Sequence, residues 1–550
     1  MEAAPAMDPH IVELGVFAQC AALERRQVKQ DSQIIYWSSN LIFPAHFHSS
    51  WPRALVKLGC WVTCRRSRIG TLMRMTRRDL MALVPSTLAA QAKGPPNIIF
   101  IMSDDHAAHA ISAYGSKINQ TPNIDRIAKE GVRLANCFVT NSICTPSRGA
   151  ILTGQYSHMN GVKTLNDVID PKKIHVAHLL RDLGYQTAMI GKWHLQSEPQ
   201  GFDYWRVLPG QGLYHNPVFI DAKGRKPYPG YCTDLIGDFT LDYLKQRDKT
   251  KPFFVMCHHK APHRAWEPAP KYLKWLEDVD VPEPDNLYED MSKRSAASQR
   301  ATLRVGDDMT KTDLKVDKPA GLEGRELRKW AYQRYIKDYL RCIRSVDDNV
   351  GRVLDYLDAE GLTENTLVIY TSDQGFFLGD HGWFDKRFMY EESLRMPFLA
   401  RLPKTIKAGT VNRDMVLNID FAPTFLELAG GKAPETMQGK SALPVLKGQK
   451  PNGWRKSMYY RYWMHLGGGH TVTAHYGVRT DRYKLIYYYG QALGAKGAVD
   501  QPTPPEWELF DLQKDPREMR NVYGDASYAK VERELKVELQ RLRQQYQDVT

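Results

Sequence analysis

Six short runs of this 550-residue chain carry side chains suited to charge-stabilised group transfer. In Cys144-Thr145-Pro146-Ser147-Arg148 a lone thiol precedes a guanidinium. Pro146 fits the first turn of a helix, where its missing N–H costs nothing. Gly149-Ala150-Ile151-Leu152-Thr153 continues that helix to a stop at Gly154. Cys144 then stands at the positive end of a helix, where an anion is stabilised. Asp104 and Asp105 follow the apolar run from Asn97, and Asp373 and Gln374 follow the run from Thr366. Three carboxylates and an amide oxygen make a hard cage suited to Ca²⁺ or Mg²⁺ rather than zinc. Lys192 and His194 end a third apolar run two residues apart, so strand alternation sends them to one side. His258, His259, Lys260 and His263 follow Pro252–Cys257, and Lys386 follows Gly379-Asp380-His381-Gly382.

Taken singly, each feature has an ordinary structural reading. A cysteine at a helix start can be a buried core thiol, a pair of aspartates a solvated turn, and a histidine a core residue with both nitrogens satisfied.

Taken together and in this order, the runs resemble the type I sulfatases of the alkaline-phosphatase superfamily. Cys144–Arg148 matches the signature C-x-P-S-R, and Gly191-Lys192-Trp193-His194, Ala261-Pro262-His263 and Gly379-Asp380-His381-Gly382…Lys386 match further family segments. The resemblance implies that a formylglycine-generating enzyme oxidises Cys144 to formylglycine. It implies a metal site of Asp104, Asp105, residue 144, Asp373 and Gln374, usually holding Ca²⁺, with Mg²⁺ as the alternative. The implied catalytic set is Cys144, Arg148, Lys192, His194, His263 and Lys386. In the family's reaction one hydroxyl of the hydrated aldehyde attacks sulfur, with Asp373 as proton acceptor. His263, helped by Lys386, serves the leaving oxygen, and His194 then collapses the sulfo-enzyme intermediate. Many sulfatases have Asn where Gln374 stands. Two-metal phosphatases and phosphodiesterases of the superfamily have a zinc-binding histidine there, so Gln374 favours a single hard cation.

The segments 201–205, 209–212, 231–234 and 258–264 look most like bacterial N-acetylglucosamine-6-sulfatases, including mucin-desulfating ones. This implies a sulfated glycan substrate carrying a 6-O-sulfate on N-acetylglucosamine. His475 and Arg479 are the first choice for sugar contacts, with Trp266, Trp463, His465 and His470 as further candidates. Two other functions stand beside this one: a phosphodiester or phosphonate monoester hydrolase on the same scaffold, and a non-catalytic glycan-binding pseudoenzyme. The intact set of charged residues argues against the last.

The elements that must position these residues follow from pattern. From Asn97 onward, strand-like runs alternate with helical ones, which predicts an α/β fold. With the resemblance, the expected architecture is an alkaline-phosphatase-like sandwich: a large, mixed, mostly parallel sheet flanked by helices, plus a smaller C-terminal part with a short antiparallel sheet and a helix. The expected division is a catalytic domain over 97–440 and a C-terminal subdomain over 450–550. Asp338–Asp358 has the apolar stripe of an amphipathic helix, and the polar stretch 282–327 reads as a surface insertion or lid. The net charge of +13 comes from scattered Lys and Arg and carries no nucleic-acid motif. No apolar run reaches the length of a membrane span. Residues 1–72 lack periodicity and read as unstructured or as a mis-assigned upstream segment. Residues 73–92, with Arg77-Arg78 and a small-residue Ala90-Gln91-Ala92, resemble a twin-arginine signal, which implies a periplasmic or secreted enzyme, a cytoplasmic one being the alternative.

Overall fold

The computed structural model describes residues 94–550. The expected segments 1–72 and 73–92 lie outside them. The run Asn97-Ile98-Ile99-Phe100-Ile101-Met102-Ser103 is apolar without alternation because both its faces are covered, and all seven residues are buried. Ile98, Phe100 and Met102 join one apolar cluster, while Ile99 and Ile101 join another on the opposite face.

Ten strands build the central sheet: β1 (Asn97–Ser103), β2 (Val132–Leu134), β3 (Gln186–Lys192), β4 (Tyr204–Leu208), β5 (Val218–Asp221), β6 (Gly224–Pro227), β7 (Phe253–His258), β8 (Thr366–Ser372), β9 (Phe398–Arg401) and β10 (Thr410–Asn412). Their order is β10-β2-β9-β8-β1-β7-β3-β4-β5-β6. The five central strands, β8-β1-β7-β3-β4, are parallel, and antiparallel pairs flank them. Helices α1 (Cys144–Thr153), α2 (Val176–Asp182) and, later in the chain, Phe421–Leu428 cover one face. Helices α3 (Cys232–Gln246) and α4 (Gly324–Ala359) cover the other. The layering is the expected sandwich. Among the described residues no helix is long and apolar enough to cross a membrane.

Parallel strands in one register bring their C-terminal ends to one edge, where open α/β sheets hold ligands. Ser103 of β1 pairs with Ser372 of β8, so Asp104 and Asp373 leave the sheet side by side. Gly191 of β3 pairs with His258 of β7. A Cβ at Gly191 would run into the His258 carbonyl, so glycine lets the strand carrying Lys192 approach this closely.

Four strands, β11 (Ser457–Tyr462), β12 (His475–Thr480), β13 (Tyr483–Tyr488) and β14 (Glu506–Asp511), form a second, antiparallel sheet in chain order. The terminal helix α5 (Ala529–Gln545) packs Leu535, Leu539 and Leu542 into the same apolar cluster as this sheet. That cluster also contains the α1 side of the large sheet, and residues 94–550 form one compact unit.

Two expectations are corrected in extent. The helix expected over Asp338–Asp358 begins at Gly324, because Leu327, Ala331, Tyr335 and Ile336 extend its buried stripe. The stretch 282–327 is not a loose lid. Leu287, Ala297, Leu303, Val305, Met309 and Leu314 are buried, and backbone bonds from Val305 to Gly382 and from Phe384 to Leu303 fasten it beside the Lys386 segment. A few well-spaced apolar residues anchor a stretch whose average composition is polar.

Candidate active site

Helix α1 is buried along its whole length and carries no side-chain cap at its N-terminus. Its free N–H end therefore faces the sheet edge with its partial positive charge. Cys144 opens the helix, and its thiol donates to Asp104 Oδ1 at 3.4 Å. Arg148, one turn on, donates through Nε and NH2 to Asp373 Oδ2 at 3.1 and 2.9 Å and through NH1 to the Lys192 carbonyl at 2.5 Å. The neighbouring Ser147 hydroxyl donates to the Asp373 carbonyl. Lys192 Nζ is paired with Asp104 Oδ2 and donates to Gln211 Oε1 at 2.5 Å. Lys386 Nζ donates to Asp105 Oδ2 at 2.7 Å.

Asp104, Asp105 and Asp373 offer carboxylate oxygens within 4.8 Å of one another, all buried. Gln374 donates to Asp105 Oδ1 at 2.5 Å, and its Oε1 is buried without a hydrogen-bond partner. Burial first, and the charge of Asp104 next, push Asp373 up to about 7. Burial likewise lifts Asp105 to about 6, against the pull of Lys386. Burial works to raise Asp104, but the fixed charges of Lys192, Arg148 and Lys386 outweigh it and hold the carboxyl well below the usual range. Crowded buried carboxylates beside an orphaned amide oxygen are the donor set a hard divalent cation needs, so the residues fit the Ca²⁺ or Mg²⁺ site the sequence implied.

The histidines differ in what they present. His194 is at positive φ, with Nδ1 3.4 Å from Thr145 Oγ1. Burial and then Lys192 keep its ring neutral, with its pKa well below the ordinary value, so it can accept a proton. His263 Nδ1 donates to the Arg264 carbonyl, so in the neutral ring Nε2 is bare and lies 3.8 Å from Asp105 Oδ2. It too is held neutral by burial and by Lys192. His258 packs behind Arg148, with Nδ1 3.3 Å from the Lys192 carbonyl. Lys260 rests its ammonium 4.6 Å over the Tyr214 ring, and burial followed by the charge of Lys192 lowers it to about 8. The structure thus brings together all the catalytic and metal-site residues the sequence singled out.

The sugar-contact expectation fails. His475 is fully buried among Phe388, Tyr460, Tyr462 and Tyr488, with ring centroids 5.1–5.8 Å apart, and Nδ1 donates to the Thr473 carbonyl. Arg479 spans the Phe138 ring to reach Glu391 at 3.1 and 3.2 Å. Both side chains are committed to packing the small sheet. Trp266, wholly buried beside Tyr335, is a core residue, and Trp463 lies under Arg461 at 3.5 Å. His470 is the exception. Its Nε2 lies 3.5 Å from Asp385 Oδ2, next to Lys386 in the chain. Asp385 also accepts from Arg387 Nε at 3.3 Å, and Arg387 donates to Tyr462 at 3.1 Å. Asp385 and Arg387 both sit at positive φ, as do Asp105 and His194, and such strain gathers where a site over-determines its backbone. The signal available in the sequence was the charged triplet Asp385-Lys386-Arg387; only its middle member stood in a recognised motif.

Comparison with known proteins decides the class. The sulfatase family model matches residues 96–431, and a model for the C-terminal part of N-sulphoglucosamine sulphohydrolases matches 379–545. The chain belongs to the sulfatase family. It is an enzyme of that class on an alkaline-phosphatase-like fold. It is 44% identical to the N-acetylglucosamine-6-O-sulfatase of Bacteroides thetaiotaomicron over 82% of this chain and 87% of that protein. Human N-acetylglucosamine-6-sulfatase is 29% identical over 69% of this chain and 68% of its own length. A solved structure of a protein in complex with its substrate D-glucosamine-2-N,6-O-disulfate matches with a TM-score of 0.79 and 43% identity, covering 83% of this chain and 99% of that one. The phosphonate monoester hydrolase of Agrobacterium radiobacter, at 21% identity and a TM-score of 0.65 over 82% of this chain and 96% of its own, shares the fold.

Proposed function

We propose that this sulfatase removes the 6-O-sulfate of N-acetylglucosamine or a closely related glucosamine unit in glycans, with residue 144 acting as formylglycine. The observation that carries sulfate-ester hydrolysis is the convergence of Arg148, Lys192 and Lys386 on the helix end that presents Cys144. A sulfate ester is anionic, and breaking its S–O bond adds charge to the leaving oxygen, so fixed cations at that point stabilise the transition state most. Support for the sugar is the likeness to the two N-acetylglucosamine-6-sulfatases and to the structure holding a 6-O-sulfated glucosamine.

Asp104, Asp105, Asp373, Gln374 and residue 144 would hold a calcium or magnesium ion, which supplies Lewis-acid polarisation of the sulfuryl oxygens. The chain's own groups divide the remaining work. Asp373, whose carboxyl is raised, takes the proton of the attacking hydroxyl. His263 charges as the anionic ester enters, its Nδ1 fixed on the Arg264 carbonyl, and hands the Nε2 proton to the departing sugar oxygen. Lys386 steadies that oxygen, and neutral His194 takes the proton that releases sulfate and restores residue 144. Asp385 and Arg387 meet the sugar hydroxyls beyond the sulfate, with the His470 ring held beside them.

The phosphonate and phosphodiester alternative rests on a shared fold alone. Export through the 73–92 segment, and the division into 97–440 and 450–550, belong to this reading. N-terminal sequencing of exported protein checks the first, and limited proteolysis the second.

Mass spectrometry of the Cys144 peptide, from protein made together with a formylglycine-generating enzyme, tests the mechanism. Formylglycine at 144, and turnover of 6-sulfated N-acetylglucosamine that Cys144→Ala abolishes, are expected. Full activity with an unmodified thiol would refute it.

A further inference from the structure

Asp313 lies in the 282–327 stretch, far in sequence from every residue assigned above, and its side chain is wholly shielded from solvent. Its carboxylate faces the guanidinium of Arg264, the residue after His263. Arg264 Nε donates to Oδ1 at 2.5 Å and NH2 to Oδ2 at 2.7 Å. A two-pronged pair of this kind fixes the plane of the guanidinium as well as its position. Thr310 adds two donors to Oδ2, its backbone N–H at 2.8 Å and its hydroxyl at 2.9 Å, so the carboxylate cannot swing.

Two of the three Arg264 nitrogens are thereby committed to Asp313. The third, NH1, is 3.2 Å from His470 Nε2. His470 Nδ1 must donate to the Thr302 carbonyl, 3.1 Å away, because a carbonyl can only accept. In the neutral ring Nε2 is therefore a bare acceptor, and the Arg264 NH1 proton meets it. Burial keeps the ring neutral, lowering it to about 4 although Asp385 opposes this. Thr302, in the same stretch, also donates its N–H to the His470 carbonyl at 3.0 Å. The stretch thus grips His470 at backbone, ring and, through Arg264, the ring's second nitrogen. Asp385 Oδ2, 3.5 Å from that nitrogen, completes the row Asp313–Arg264–His470–Asp385.

We propose that Asp313 is a positioning residue for sugar recognition: it aligns Arg264, whose NH1 fills His470 Nε2 and so holds the ring, its tautomer set by Thr302, against Asp385. The proposal rests on the reading that Asp385 and Arg387 contact the sugar, with the His470 ring held beside them. It assigns the 282–327 stretch a task in substrate choice, exerted from outside the pocket. If Asp313 were only a structural anchor, its loss would loosen every function of the enzyme alike. If it positions His470, the loss falls on the sugar and spares the sulfate, whose partners are Arg148, Lys192 and Lys386.

The test is Asp313→Asn, which keeps the shape and a capping oxygen but removes the charge. Steady-state kinetics on 6-sulfated N-acetylglucosamine would be measured with inorganic sulfate as a competing product. A KM raised by about tenfold, the usual scale for losing a charge-assisted hydrogen bond, is expected, with the inhibition constant of sulfate unchanged and kcat within about threefold. In a His470→Ala background the same substitution should raise KM no further. An unchanged KM in Asp313→Asn, a joint rise of KM and the sulfate constant, or additive effects in the double variant would each overturn the proposal. Should Asp313→Asn lack a cooperative melt, Arg264→Lys replaces it. Lysine keeps the pair with Asp313 but cannot also reach His470, so KM should rise and sulfate inhibition hold; an unaltered KM there is equally fatal. Wild-type protein inactive on this sugar would sink the proposed function and this proposal with it. Wild-type turnover with an indifferent Asp313→Asn sinks only this one.

Discussion

Two regions of the molecule bury dense sets of opposite charges, and they are arranged in opposite ways. At the sheet edge, Asp104, Asp105 and Asp373 converge on one another, and Lys192, Lys386 and Arg148 approach them from outside. Behind the small sheet, the cations stand between the acids. Glu391 receives Arg395 at 2.5 Å, Arg479 at 3.1 Å and Lys484 at 3.0 Å, and Lys484 also meets Glu518 at 2.6 Å. The second network answers its own charges and acts as a rivet. The first turns three carboxylates toward one point, each with a cation on its outer side, so that their facing oxygens can share one metal ion and the outer cations can meet an anion. Buried charge as such therefore marks neither function nor stability; which sign faces which does.

The largest test of this contrast is to remove a converging acid. Asp373→Ala or Asp104→Ala should cut turnover by roughly 10³-fold or more, the scale of losing a preorganised electrostatic group at the reaction centre. A chelator should lower the melting temperature of the wild type, and Ca²⁺ should restore it. The variants should respond to neither.

The rivet should behave conversely. Glu391→Gln strips buried Arg479 of its carboxylate and leaves Lys484 with Glu518 alone, and should cost about 3 kcal/mol in denaturant unfolding. Activity per folded molecule and the response to chelator should stay as in the wild type. A Glu391→Gln protein that had lost its cation response would erase the distinction.

A third test uses pH. His381 is raised to about 9 because Glu392 and Glu289 overcome its burial; Nδ1 is 2.7 Å from Glu289 and Nε2 is 3.5 Å from Glu392. A histidine with a raised folded pKa lends its stability in full below its ordinary pKa of about 6.5 and loses it as pH climbs through about 9. Melting temperature should fall between pH 7 and 10 by an amount worth a few kcal/mol, and His381→Gln should flatten that slope. A slope unchanged in the variant would assign the loss to other groups.

The smallest effects separate two nearby histidines. His475→Gln should cost about 1–3 kcal/mol of stability and leave KM alone. His470 is also buried and hydrogen-bonded, so His470→Gln should cost a similar amount of stability and in addition raise KM. The reverse pattern would restore His475 to the sugar site.

What the sequence made legible follows a physical rule. The strands β1, β3, β7 and β8 were readable because buried parallel strands are apolar throughout, and the residues at their ends were readable because strand ends converge. The residues on Cys144–Arg148 were readable because a helix start fixes its first turn locally. The residues proposed to face the sugar were opaque for the opposite reason. His470 hangs on a loop after Gly467-Gly468-Gly469, with no periodicity to show its direction. His475 and Arg479, in contrast, are the choice suggested by the family's habit of lining the sugar pocket from its C-terminal subdomain, yet β12 turns both into the protein. The contact between Asp313 and Arg264 joins positions 49 residues apart through a stretch whose composition suggested solvent. Pairings of this kind exist only once the chain has closed on itself.

All ten residues of α1 are buried, with Cys144 only 1% exposed, and burial raises its thiol far above the ordinary range. A second protein cannot thread its catalytic cleft onto a residue sealed in this way. If residue 144 acts as formylglycine, as proposed above, its conversion must precede folding, once for each molecule. A chain that folded first would keep its thiol sealed and stay idle, so the specific activity of a purified sample would report the conditions of its synthesis.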